Sequence, residues 1–158
     1  MTGKNRSVIL GLGNVLNRDE GLGIFCLDLL RPRLAARDAV ECLDGGVLGM
    51  ALLPIVESCG HLLLLDAVDA GKPPGTMVEL SREEIPRFAR LKLSWHQLGF
   101  QEVLEFAAAR GNLPEHLHLV GAQPFDIMSG YGLSSMIESA LPNIVDRAVE
   151  ILREWSLA

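Results

Sequence analysis

Leu62-Leu63-Leu64-Leu65-Asp66 decides the fold of this chain. Four consecutive leucines leave no polar side for water. A strand of that kind has to be covered on both faces, as a central strand of a parallel sheet is. The run ends on an acid, so the strand carries Asp66 to its carboxyl end.

Working outward, residues 50–56 read as a short helix and residues 40–43 as a second strand, closed by Asp44-Gly45-Gly46. Farther back, Leu22, Phe25, Cys26, Leu29 and Leu30 recur at helical spacing, and Pro32 is expected to end or kink that helix. Residues 7–12 form a first strand that runs into the turn Gly11-Leu12-Gly13-Asn14. Downstream, Gly71-Lys72-Pro73-Pro74-Gly75 is a loop, and residues 76–80 alternate like an edge strand. Residues 97–109 are helical with Gly111 as a stop, and residues 117–120 form another strand. In the last helix Ser135 and Glu138 have capping-box spacing. Ile137, Leu141, Ile144, Val145, Ala148 and Leu152 form its apolar stripe, and Pro142 should kink it. Strands alternating with helices predict a single-domain α/β three-layer sandwich, with a twisted, mostly parallel sheet of about five strands and helices on both faces. Residues 1–158 are expected to form that one domain.

The 49% apolar content is enough for a full core, and the 22% charged content is near the globular average of about 25%. A net charge of −6, with no Lys/Arg cluster, argues against a nucleic-acid surface. No apolar run approaches the roughly 20 residues that span a bilayer. Lys4 and Arg6 before the apolar run 8–16 faintly resemble a signal peptide. Asn17-Arg18-Asp19-Glu20 follows at once without a small-residue cleavage site, so a buried strand is the better reading. Cys26, Cys42 and Cys59 form no CxxC pair and are expected to be buried, reduced thiols of a cytoplasmic protein.

Ligands of open α/β sheets bind outside the carboxyl ends of the strands. Those ends carry Asp19 and Glu20 after the first strand, Asp44 after the second, and Asp66 with Asp69 after the third. His96 opens the helix that follows the edge strand. Crowded carboxylates repel unless a cation joins them. Two carboxylates and an imidazole suit a divalent transition metal, and three protein ligands leave positions open for water or substrate. Singly, each residue has a plainer role. Either Asp19 or Glu20 can cap a helix, Asp66 can accept backbone hydrogen bonds in its turn, and His96 can simply start a helix. Their joint placement on one rim favours a site.

Other motifs are weaker. Gly11-Leu12-Gly13-Asn14-Val15-Leu16 begins like a dinucleotide fingerprint, but Leu16 stands where the third Gly is needed. There is no nucleophile elbow of the G-x-S-x-G type and no P-loop. His116-Leu117-His118 reads as an exposed pair on one strand face. Ser129-Gly130-Tyr131-Gly132-Leu133 reads as a flexible turn with no assigned role.

In order along the chain, the quoted glycine-rich turn and Asp19-Glu20-Gly21-Leu22-Gly23 are followed by Asp44-Gly45-Gly46 and Asp66-Ala67-Val68-Asp69-Ala70-Gly71. Pro74-Gly75-Thr76, Ser94-Trp95-His96-Gln97-Leu98-Gly99 and Leu119-Val120-Gly121 come next. This ordered set resembles the hydrogenase maturation endopeptidases over nearly the whole chain. The resemblance implies a cytoplasmic protease that removes a short C-terminal extension from the precursor of a [NiFe] hydrogenase large subunit once nickel has been inserted. It carries the metal ligands onto Glu20, Asp66 and His96, which would also be the catalytic set. Many relatives have Asp where this chain has Glu20, which keeps the carboxylate and changes its reach. Asp44 matches a recurrent family acid and is a further catalytic candidate. The nickel would be supplied by the substrate, held by its cysteines, with other divalent ions substituting in the isolated protein. The protein is expected to be a monomer that binds neither nucleic acid nor membrane. The rival readings are a non-catalytic nickel-binding chaperone using the same three ligands and a nucleotide-binding oxidoreductase using the glycine-rich turn.

Overall fold

The structure, a computed structural model, describes residues 4–34, 39–85 and 98–158. Five strands form one sheet: β1 (Arg6–Leu12), β2 (Glu41–Gly46), β3 (Cys59–Ala67), β4 (Met77–Ser81) and β5 (His116–Ala122). Their order across the sheet is β2-β1-β3-β5-β4. All neighbours are parallel except β4, which runs antiparallel along the edge beside β5. The helices are α1 (Leu22–Leu34), α2 (Leu53–Ser58), α3 (Leu98–Ala109) and α4 (Ser135–Glu154). A 3-10 turn, Arg18–Gly21, leads into α1, and another, Gly49–Leu52, leads into α2. The single-domain, mostly parallel architecture is the one expected from the sequence.

The period of two along each strand sorts the core into two halves. Ile9, Leu63, Leu65, Val120 and Ala122 face α1 and α4. Val8, Leu10, Leu62, Leu64, Leu117 and Leu119 face the other way, toward α2 and α3. Leu62 to Leu65 are at most 1% exposed, as a strand covered on both faces must be. Each leucine buried this completely contributes about 1.5–3 kcal/mol. Among the described residues no helix is long and apolar enough to cross a membrane.

Several local expectations change. Pro32 lies inside α1, which continues to Leu34. Leu27 joins the core while Leu29 stays 47% exposed, so the apolar stripe of α1 is rotated from the expected one. Pro142 lies inside α4, a helix of 20 residues, as expected. Its expected apolar stripe is buried as a set. Its N-cap is Ser134 rather than Ser135, and no side-chain capping bond forms there. The Ser134 hydroxyl is instead committed to a residue far away in sequence, described below. Cys26 and Cys59 are buried, whereas Cys42 is only half-buried. Burial pushes the Cys26 thiol up to about 12 and raises the other two, which argues against a thiolate nucleophile at any of them.

Candidate active site at the carboxyl ends of β1 and β3

The chain leaves β1 on one side to build β2 and returns on the other side to build β3. The crevice between β1 and β3 is therefore the switch point of the sheet, where ligands of such folds bind. Two buried acids lie at this end of the sheet. Asp66, the penultimate residue of β3, is 5% exposed, and Glu20, in the 3-10 turn after β1, is 8% exposed. Keeping carboxylates this dry is costly unless something compensates them.

Gly13 brings the two together. Its φ of +113° is a conformation that side chains rarely adopt, and a Cβ there would fall 1.8 Å from the Glu20 carbonyl oxygen. The same point is 3.6 Å from Asp66 Oδ1. The Glu20 backbone and the Asp66 carboxylate thus both lie close to one glycine. Gly23 does the corresponding work for α1: a Cβ there would stand 2.1 Å from the Leu65 carbonyl oxygen and 2.5 Å from that of Leu12. The glycine-rich motif serves to seat the start of α1 directly on β1 and β3. The space beside Gly13 that a dinucleotide's pyrophosphate would need is filled by the protein's own chain, which weighs against the nucleotide reading.

Asp19 and Glu20 are adjacent but have different surroundings. Asp19 is fully buried. Its Oδ2 accepts from the Phe125 amide at 3.0 Å, the Asp126 amide at 2.8 Å and the Ser134 hydroxyl at 2.8 Å. Its Oδ1 accepts from the Ser134 amide at 2.7 Å. Asp19 is the structural member of the pair, and it holds the loop 124–134 and the start of α4. Glu20 Oε2 accepts from Asn17 Nδ2 at 3.1 Å. Before both acids, Arg18 takes φ +48°, a left-handed conformation that costs a non-glycine residue about 1 kcal/mol. Its amide is fixed on the Gly130 carbonyl at 2.9 Å.

Asp44 lies apart from this pair. It is level with Gly11 on β1, which is level with Leu65 on β3. Asp44 therefore shares the face of Leu65, whereas Asp66 points to the opposite face, roughly 10 Å away across two strand spacings. Asp44 is exposed. Asp69 Oδ1 accepts from the Gly71 amide and from Gln123 Nε2, both at 3.1 Å. Gln123, which the sequence did not single out, pins the loop after β3 by accepting from the amides of Ala70 and Lys72. His96 lies outside the described residues, as does Gln97. Among the described residues no group of three or more His, Cys, Asp or Glu is placed to hold a metal ion.

The turn 129–133, expected to be flexible, is tied down. Gly130 donates to the Leu16 carbonyl at 2.7 Å, and Asn17 and Gly130 form a parallel bridge. Of the expected exposed pair, His116 is exposed and His118 is half-buried. His116 stacks on His61 with ring centroids 4.4 Å apart, and His118 Nε2 lies 2.7 Å from Glu79 Oε1.

Comparison with known proteins identifies the family and the fold. The family model for hydrogenase maturation proteases matches residues 24–151. The chain is 39% identical to the hydrogenase expression/formation protein HupD of Rhizobium leguminosarum bv. viciae, over 97% of this chain and 77% of that protein. It is 37% identical to the hydrogenase 2 maturation protease of Escherichia coli K12, over 94% of this chain and 92% of that one. The solved hydrogenase maturating endopeptidase HybD of E. coli superposes with a TM-score of 0.86 at 36% identity, covering 94% and 93% of the two chains. On the family model, the relatives above 30% identity and the shared fold, the chain belongs to the hydrogenase maturation protease family.

Proposed function

We propose that this protease removes the C-terminal extension of a [NiFe] hydrogenase large-subunit precursor after nickel insertion, and that it recognises the nickel the substrate carries. The observation that carries the reading is the burial of two acids, Glu20 and Asp66, at the switch point, with the Glu20 backbone and the Asp66 carboxylate both close to Gly13. We assign His96 as the third donor. His96 lies outside the described residues, and the assignment rests on the motif Ser94-Trp95-His96-Gln97-Leu98-Gly99 that it occupies.

All three donors are oxygen or nitrogen. Such a set, with no thiolate, suits the completion of a coordination sphere that another protein's cysteines have begun. Nickel is then part of the substrate, and its capture by Glu20, Asp66 and His96 brings the scissile peptide to the rim. A carboxylate of the pair would take the proton from the attacking water, and a cation held by these donors would supply Lewis-acid chemistry at the carbonyl. Asn17, donating to Glu20 Oε2, holds that carboxylate in place. Asp44 acts from the neighbouring strand on the approaching chain rather than on the metal. The reaction belongs in the cytoplasm, where the substrate's thiols stay reduced.

Mass spectrometry of large-subunit precursors before and after incubation tests the proposal. Release of a C-terminal peptide from nickel-loaded precursor, and none from nickel-free precursor, is the expected result. Equal cleavage of both would remove metal recognition. Metal binding without any peptide release would leave a nickel chaperone instead. His96→Ala should abolish release, and normal processing by that variant would take His96 out of the site.

A further inference from the structure

Five large apolar side chains stand in water beside the candidate site. Leu16 is 63% exposed, Phe125 59%, Ile127 50%, Met128 73% and Tyr131 71%. They belong to two segments that the fold locks together: the turn after β1 and the loop before α4. Gly130 donates to Leu16, Arg18 donates to Gly130, and Asp19 donates through its amide to the Asp126 carbonyl at 2.9 Å. The Asp126 carboxylate accepts from the Met128 amide at 2.9 Å and pairs with Arg18 Nε at 3.3 Å. The buried Asp19 carboxylate completes the frame from below.

Apolar side chains on a loose loop would turn inward. Here the main chain is fixed and presents them outward, as a preorganised binding surface does. The charges at its base, Arg18 and Asp126, neutralise each other, so the surface calls for an apolar partner rather than a charged one. It is continuous with the site, because Asn17, which bridges to Gly130, is also the donor to Glu20.

We infer that this ledge, formed by Leu16 and residues 125–131, binds the precursor polypeptide through an apolar segment that flanks its metal centre. The inference rests on the proposed function, which requires a protein substrate to be held against Glu20 and Asp66. The ledge supplies binding energy remote from the reacting bond, while the two acids act on the metal and the water. Substrate affinity and turnover are thereby set by different residues.

Steady-state cleavage of nickel-loaded large-subunit precursor by the Phe125→Ser/Met128→Ser variant tests this. Removing two such contacts should raise KM by about 10–100-fold. The kcat at saturation should stay within about twofold, because neither side chain meets the reacting atoms. Phe106→Ser is the control. Phe106 is 53% exposed on the last turn of α3, which leads to the amino ends of the strands, and its loss should leave KM unchanged. Circular dichroism and melting temperature confirm that the variants fold. Wild-type cleavage with an unaltered KM in the double variant would overturn the ledge alone. Failure of the wild type to cut any precursor would overturn the proposed function, and the ledge with it. Sedimentation showing a wild-type dimer that the double variant dissolves, with KM unchanged, would reassign the surface to a second copy of this chain.

Discussion

The two ends of the sheet handle polar groups in opposite ways. At the carboxyl ends, Asp19, Glu20 and Asp66 are almost fully removed from water, glycines let backbones approach one another, and apolar side chains are left outside. At the amino ends the polar groups pair with one another at the surface. Arg6 grips both oxygens of Glu41 at 2.8 and 3.0 Å and reaches Ser58 at 2.9 Å. His61 and His116, register partners on β3 and β5, stack with their rings nearly parallel at 4°, and Trp155 is tilted against both. Beside them a cavity of about 560 Å³ is lined by Lys4, His61, Glu115 and His116. One end is organised against its own stability, as sites generally are, and the other closes the fold.

The comparison can be broken by exchanging what each end does. The largest effect is expected at the carboxyl ends. Glu20→Ala or Asp66→Ala should lower precursor processing by about 100-fold or more, as loss of a group acting in the transition state does, while urea unfolding shows a folded protein. Near-normal processing by either variant would remove that acid from the site. Next comes Gly13→Ala, whose added methyl meets backbone on a strained φ. It should cost about 3 kcal/mol or more in urea unfolding and should also abolish processing. A neutral result would mean that Gly13 is not the hinge between the two acids. Asp19→Ala leaves four donors without their acceptor and should cost about 2–4 kcal/mol. Amide hydrogen exchange should accelerate in residues 125–134, and unchanged exchange there would contradict the tie.

The smallest effect belongs to the amino ends and is read as pH dependence. Burial, then the neighbouring His116, holds the His61 imidazole below its ordinary 6.5, while Glu115 opposes the shift. Ser7 Oγ, 3.3 Å from its Nδ1, and Trp155 complete its surroundings. A base with a lowered folded pKa binds fewer protons folded than unfolded. Its contribution is complete above 6.5 and fades as pH falls below that value. Glu79 acts lower on the scale. Arg147, then His118, holds its carboxyl below the ordinary 4.5, so its contribution is lost only as pH falls through its lowered value. Urea midpoints should therefore drop between pH 7.5 and 5.5, and His61→Gln should flatten that drop without changing processing. Equal slopes for the two proteins would show that the stack does not respond to acid.

Much of this architecture was legible in the sequence because it depends on local pattern. The leucine run could only be a central strand, the alternation of residues 76–80 could only be an edge, and the switch-point rule then brought Glu20 and Asp66 together. What escaped reading depends on partners distant along the chain. The N-cap Ser134 makes no side-chain capping bond because Asp19, 115 residues away, takes its hydroxyl. The turn 129–133 looked flexible because the bonds that fix it come from residues 16–19. His116 and His118 looked alike because neither His61 nor Glu79 is close in sequence. The adjacency of Asp19 and Glu20 did signal that the two would divide into one structural and one functional residue, but not which was which.

The manner in which Asp19 secures its loop has an evolutionary consequence. Three of its four bonds go to main-chain amides and one to a serine hydroxyl, so none involves the outward side chains of residues 125, 127 and 128. Those positions can be exchanged while the frame beneath them stays in place. Related chains could thus acquire a preference for different client proteins by substitutions on the loop's outer surface, with the acids behind it untouched.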